Sequence, residues 1–267
     1  MNWVQGDRFI DIADFTFSPP KCSKDDYCKL VNTLNLHHLK NGNVIYTHTM
    51  YVKELFEILS MVSGRVTVVS HNSDINVDDS FKVPDSVEKW YTQNVNVVNP
   101  KIESIPIGLE NNRWFKKENK IVQMKWKLSE PKQNKNLVYM NHNVSTNPDK
   151  RQKVYQLLED KPWVTTEHGS NGQNFGGYLD NIYNHQFVIC PEGNGMDTHR
   201  TWECLYMNTI PIEKRNINNQ FYTDLPICFV DDWEEVTEEY LDEYLNNSLM
   251  DWNTDKLSFE YWKNKIL

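Results

Sequence analysis

The sequence predicts an α/β protein built on two successive parallel sheets, and three observations predict it. Short apolar strands alternate with helix-like segments along the chain. A polar stretch with a proline, residues 128–136 (LSEPKQNKN), interrupts the alternation, which then restarts. The loops that carry chemically useful side chains all follow strands, at the carboxyl ends where open parallel sheets bind ligands.

The elements follow in order. Residues 44–47 (VIYT) form a short strand, and apolar residues at helix spacing mark 51–59. Residues 65–70 (RVTVVS) are a β-branched strand leading into His71, Asn72, Ser73 and Asp74. A helical turn is expected at 87–91, with short strands at 95–98 and 104–107. Residues 113–135 are locally basic and end as an exposed connection. Beyond it come a strand at 137–141, a helix at 148–158 with Pro148 near its start, a strand at 163–166 and a helix at 174–183. Residues 187–190 form a buried strand, followed by a glycine-bearing loop, a helix opening near Arg200, and a strand at 208–212. Residues 225–230 (LPICFV) are another strand. Residues 231–243 hold eight carboxylates and no basic residue, with apolar residues at helix spacing, which reads as a solvated helix face. A last amphipathic helix occupies 256–267. These elements make two Rossmann-like domains facing a central cleft, residues 1–130 and 131–250, with a C-terminal helix at 251–267.

Bulk properties bound the function. A chain of 267 residues with 39% hydrophobic and 12% aromatic residues holds one large domain or two modest ones. A net charge of -9 argues against a large nucleic-acid surface. No apolar run approaches the ~20 residues of a membrane span, and the N-terminal residues lack a signal-peptide pattern. The five cysteines include no CxxC pair. Cys190, Cys204 and Cys228 sit among apolar residues as reduced core thiols, while Cys22 and Cys28 are free to pair or not. The expectation is a cytoplasmic protein in a reducing compartment. Most of the nine tryptophans are expected to pack cores, with some left to line a carbohydrate cleft.

The most informative stretch is residues 187–212, FVICPEGNGMDTHRTWECLYMNTIPI. Gly193 and Gly195 are expected to take positive φ and let a ligand approach the backbone. Asp197 or Thr198 caps the following helix, whose first turn holds His199 and Arg200. Amides at such a helix N-terminus suit a phosphate. Arg200 and Glu203 share a helical face, either as a surface salt bridge or as a diphosphate ligand and a ribose-hydroxyl acceptor. No GxGxxG and no Gly-Lys-Ser/Thr occurs in the chain. In the loop after the 137–141 strand, Ser145 and Arg151 are candidate phosphate or sugar contacts. His168, in the polar loop 167–172, is a candidate for the base or uridine edge. No metal-ligand cluster is visible: His37 and His38 lack partners at useful spacing, and the Asp pairs at 78–79 and 231–232 stand alone.

Residues 187–212 resemble the signature of exostosin-like glycosyltransferases: a strand ending in Cys-Pro, a Gly-rich loop, an Arg, a Glu three residues on, and a G-C-x-P-V strand. Here Asn208 stands where that strand usually begins with glycine, a departure in a packing position. Residues 89–115 (KWYTQNVNVVNPKIESIPIGLENNRWF) are similar to the N-terminal half of small viral members of the family. The resemblance, over residues 44–230, implies a GT-B fold with the nucleotide-sugar donor in the C-terminal domain and the final helix crossing back to the first. By residue match it assigns Arg200 to the donor diphosphate and Glu203 to its ribose. It implies a UDP-sugar donor contacted also by Ser145 and Arg151, with xylose as a candidate sugar, a glycan or glycoprotein acceptor, a location in the host cytoplasm for a viral member, and no cofactor or metal, since arginine and helix amides neutralise the leaving group. An inverting transfer requires a base in the first domain. Asp74 and His48 are the candidates, with His71 in reserve and Glu110 also facing the expected cleft. A nucleotide-sugar epimerase and a non-catalytic carbohydrate-binding protein are the alternatives.

Overall fold

A computed structural model describes residues 2–19, 30–114, 119–133, 135–167, 174–247 and 252–267. The chain forms two compact units, one of Met1–Glu110, Gly195–Asp197 and Ser258–Leu267, the other of Asn111–Asn194 and Thr198–Leu257.

The first unit holds five parallel strands in sequential order, β1 (Phe15–Phe17), β2 (Val44–His48), β3 (Val66–His71), β4 (Val87–Thr92) and β5 (Ile102–Ser104). Helix α1 (Val52–Leu59) buries Val52, Leu55, Phe56 and Leu59, the face its apolar spacing predicts. The turn expected at 87–91 is instead strand β4, whose Trp90 is fully buried against Phe56 and Phe81. The adjacent Glu88 and Lys89 interrupt an otherwise buried strand, so its sequence lacks the period-2 alternation that marks a strand. Of the strand expected at 95–98, Val95 makes only an isolated bridge to Val77. The strand expected at 104–107 lies earlier, as β5.

A 3-10 turn, Gly6–Ile12, lies on the end of β3. A Cβ at Gly6 would come within 2.2 Å of Asn72 Oδ1 and 2.3 Å of His71 Nδ1, so only glycine admits this approach. The C-terminal helix, named α7 below, packs in this unit: Phe259 meets Phe9 edge-on at 5.2 Å, and the Arg8 guanidinium lies 4.0 Å over its ring.

The second unit carries β6 (Asn136–Met140), β7 (Val164–Thr166), β8 (His185–Ile189), β9 (Ile210–Lys214) and β10 (Cys228–Val230), all parallel in the order β10-β9-β8-β6-β7. The order reverses between β6 and β8. This is the topological switch point of a doubly wound sheet. Its helices are α2 (Lys120–Lys127), α3 (Pro148–Leu158), α4 (Phe175–Asn184), α5 (His199–Tyr206) and α6 (Glu238–Asn247), while α7 (Phe259–Ile266) belongs to the first unit. The core beneath is continuous from Val138, Met140 and Phe187 to Ile212, Val230, Trp233 and Leu241.

The basic stretch expected as an exposed connection is partly helix α2 and partly anchored. Met124 is buried, and Lys127 pairs with Asp180 of α4 at 2.6 Å. Tyr183 donates to the Glu130 carbonyl at 2.6 Å, and Lys132 packs over the Tyr183 ring at 5.3 Å. Lysines around a single buried methionine hid an amphipathic pattern. Trp3, Trp90, Trp202, Trp233 and Trp262 are buried in cores, whereas Trp126 is exposed. Cys190, Cys204 and Cys228 are buried free thiols; Cys22 and Cys28 lie outside the described residues. No helix among the described residues is long and apolar enough to cross a membrane.

Candidate functional site

In the second unit the two strands at the switch point send their loops toward each other. The loop after β6 begins with Asn141, and the loop after β8 leads to α5. Side chains tie them, among them Lys150, which pairs with Glu192 at 3.2 Å. Asn147 donates to the Gly193 carbonyl at 2.6 Å. Arg151, buried, donates from Nε to the Glu192 carbonyl and from Nη1 to the Asn143 carbonyl, both at 2.8 Å. Arg200 Nη1 donates to Asn141 Oδ1.

Helix α5 starts at His199 with Thr198 as N-cap, but the Thr198 side chain makes no capping hydrogen bond. Its hydroxyl lies 3.4 Å from that of Thr201. Asp197, the other expected cap, turns its carboxylate to the Ile107 amide at 2.7 Å within the first unit. The N-terminal end of the helix carries partial positive charge, which the Thr198 side chain does not cap. Among the described glycines positive φ occurs at Gly42 and Gly108 and not at Gly193 or Gly195. Glycine at 195 answers a need for space instead: a Cβ there would stand 2.8 Å from the Asn94 carboxamide.

Arg200 and Glu203 take different partners rather than forming a surface pair. The half-buried Arg200 guanidinium lies 5.6 Å over the Tyr178 ring. Burial works against its charge, but Tyr178, Cys190, Cys204 and Glu203 outweigh it and raise its pKa. Glu203 is buried, accepts from the Tyr178 hydroxyl at 2.8 Å, and faces Lys120 at 3.5 Å. Burial first, then Glu203, pushes the Tyr178 hydroxyl well up, so it stays a donor. Tyr139 donates to Glu167 at 2.5 Å, and Asn181 holds the other oxygen of Glu167 at 3.0 Å.

Two further cationic groups respond to Arg200. Burial and then Arg200 lower Arg151 to about 10. Burial and then Arg200 push His142 down to about 3, so this imidazole is neutral at physiological pH. A half-buried arginine near the start of a helix at a switch point is an arrangement that can hold an anion.

The other expected donor contacts are placed differently. Ser145 is exposed on a 3-10 turn and donates to Asn143 at 2.9 Å, a local turn bond. Arg151 is spent on main-chain carbonyls and braces the loops. Gly193 is buried, its carbonyl held by Asn147. His168 lies outside the described residues. Asn141, Tyr178 and Lys120 were missed. Asn141 is the first residue past β6 and legible as a strand-end polar group; nothing in the sequence ties Tyr178 or Lys120 to Glu203.

Asn208 corrects another expectation. It is not a packing position: its φ is 55°, the left-handed C-terminal turn of α5, closed by Thr209 N to the Cys204 carbonyl at 2.9 Å. Glycine suits that conformation best and asparagine next.

In the first unit, His71 has both ring nitrogens engaged. Nδ1 accepts the Asn72 amide at 2.8 Å, so Nε2 carries the proton and donates to the Pro106 carbonyl at 3.0 Å. Nδ1 also lies 3.1 Å from Asn72 Oδ1. His48 is buried, its ring edge-on to Tyr46 and Tyr51. Asp74 is exposed on the loop after β3. Glu110 is half-buried, its carbonyl held by Gln5 at 2.8 Å. Among the described residues no group of three His, Cys, Asp or Glu side chains is placed to hold a metal ion.

No protein-family model matches the sequence, and no curated protein matches it.

Proposed function

We propose that this chain is a GT-B glycosyltransferase that moves a sugar from a nucleoside diphosphate donor to a glycan hydroxyl. The observation that supports it most is the anion site at the β6–β8 switch point. There Arg200 is held by Asn141 at the uncapped end of α5, one helical turn from the buried carboxylate of Glu203. A diphosphate suits the first feature and a ribose the second. Glu203 accepts from Tyr178 and faces Lys120, and a carboxylate keeps further lone pairs for ribose hydroxyls. The sequence resemblance favours UDP as the nucleotide and xylose as a sugar to test.

In the proposed inverting step the acceptor oxygen bonds to the anomeric carbon. The carbon–oxygen bond to the diphosphate breaks, and its electron pair leaves with the diphosphate. Arg200 and the α5 amides take up that charge, so the proposal calls for no metal ion. The acceptor proton passes to Asp74. Its exposed carboxylate suits this role better than the buried His48 and His71.

The test is a panel of UDP-, GDP- and ADP-sugars, with binding followed by calorimetry and released nucleotide by chromatography. Slow hydrolysis of one donor, accelerated by an acceptor, is the expected result. A sugar altered while still bound to its nucleotide would mean epimerisation. Binding of none of the panel overturns the reading.

A further inference from the structure

The acidic run at 231–243 and two tryptophans of the second unit meet at one hollow. The 3-10 turn Trp233–Glu235, which follows β10, is fixed by a capping box. Trp233 N donates to the Asp232 carboxylate at 2.7 Å, and Asp232 N donates to Glu235 Oε1 at 2.9 Å. The turn puts the Trp233 ring in the core and leaves Glu234 and Glu235 exposed. Val236 is then buried, while Thr237, Glu238 and Glu239 stay exposed at the start of α6.

Between this stretch and the C-terminal end of α3 lies a cavity of about 310 Å³. Ligand pockets span about 300–1,000 Å³, so this one suits a side chain better than a nucleotide. Its apolar lining is Leu157, Leu158, Trp163, Trp233 and Val236. Trp163 is only half-buried, which leaves part of its indole open.

The charged lining is Lys161, Glu234, Glu238 and Glu239. Glu234 is taken by Lys153 at 2.7 Å. Among the described residues Glu238 and Glu239 form no ion pair, and neither do Asp242 and Glu243 further along α6. Carboxylates at the first turn of a helix favour its dipole, which accounts for Glu238 and Glu239 as acids. It does not account for an apolar hollow with a half-open indole beside them. A group that fits all of this carries positive charge on an apolar stem. Arginine does: its methylenes are apolar, and its planar guanidinium stacks on an indole while pairing with a carboxylate.

We infer that this cavity docks an arginine of a basic peptide segment, the guanidinium against Trp163 and paired with Glu238 or Glu239. No residue of the anion site lines the cavity, so the inference stands apart from the glycosyltransferase reading.

The test titrates capped, fluorescein-labelled peptides GRLRG and GKLKG, and the citrulline counterpart of the first, into the full-length protein by fluorescence anisotropy. The arginine peptide should bind, the lysine peptide roughly tenfold more weakly and the citrulline peptide not at all. Salt at about 0.5 M should weaken the binding. The double variant Glu238→Gln, Glu239→Gln, at exposed positions that leave the core untouched, should lose roughly tenfold in affinity, and Trp163→Leu a similar factor. Lys161→Ala should tighten binding by removing the like charge. Nucleotide-sugar binding should be the same in every variant. No binding of the arginine peptide, equal binding of the lysine or citrulline peptide, or unchanged affinity in the double variant would overturn the inference. Binding of methyl glucoside that is lost in Trp163→Leu, with no peptide bound, would make the cavity a sugar site and overturn it too.

Discussion

Asn141 and Arg200 meet across the switch point of the second sheet, the carboxamide at the end of β6 accepting from the guanidinium at the start of α5. That bond orients Arg200 before any ligand arrives, and pre-set donors cost less reorganisation when charge develops. Arg200→Ala should weaken nucleotide-sugar binding by roughly 100-fold, the scale of a lost charge-assisted bond of about 3 kcal/mol. Arg200→Lys should recover little, because an ammonium cannot reproduce the planar fork. Asn141→Ala should give a smaller loss, with calorimetry reading all three. Unchanged affinity in Arg200→Ala would remove the site.

Tyr178 offers a finer test. Tyr178→Phe deletes the hydroxyl that donates to Glu203 at 2.8 Å and leaves Lys120 as its nearby cation. Removing a bond to a charged group costs about 1.5–3 kcal/mol. Thermal stability should therefore fall in Tyr178→Phe, and less in Glu203→Gln, which keeps a side-chain oxygen for the hydroxyl. Equal Tm values in wild type and Tyr178→Phe would refute the bond.

His142 predicts a pH dependence. Its folded pKa, about 3, lies below the ordinary 6.5 through burial and then Arg200. The unfolded chain binds the extra proton between those values and the folded one does not. This group's contribution is therefore present above pH 6.5 and is lost as pH falls toward 3, at a slope of about 1.4 kcal/mol per unit. His142→Gln keeps a donor for the Arg151 carbonyl and should flatten the loss of stability in that window. Parallel melting curves for the two proteins would contradict the assignment.

The cysteines predict chemical silence. Cys190 and Cys204 have sulfurs 4.0 Å apart, and burial raises the Cys190 thiol and pushes Cys228 up to about 12. Native protein treated with iodoacetamide at pH 8 should leave these three unmodified by peptide mapping, and denatured protein should not.

Gly108 carries a backbone prediction. Its φ is +63°, and a Cβ would stand 2.3 Å from the Val4 carbonyl oxygen. Gly108→Ala should destabilise by about 2 kcal/mol or more, since main chain cannot step aside as a side chain can. A variant as stable as wild type would mean the N-terminal segment lies elsewhere.

The parts of the fold legible in the sequence were those whose signal is local. Pro148 at a helix start marks α3, and the β-branched run at 66–71 marks β3. Strand β4 was misread because Glu88 and Lys89 broke its apolar pattern, and α2 because one buried methionine carries its whole inner face. At the site, Arg200 and Glu203 could be picked out because one helix spaces them. Tyr178 could not, since its tie to Glu203 spans two helices that only tertiary packing brings together. The cavity beside Trp163 was equally hidden, being a property of what surrounds it.

Lys132 carries a last consequence. Its ammonium donates to the Asn208 carbonyl at 2.6 Å and to Thr209 Oγ1 at 2.5 Å, at the opposite end of α5 from Arg200. A protease cut between residues 128 and 133 would loosen that cation from the last turn of α5, one helix length from Arg200. Bound nucleotide, by holding the other end of α5, should in return slow cleavage there, so protection of this short peptide would report occupancy of a site it never contacts.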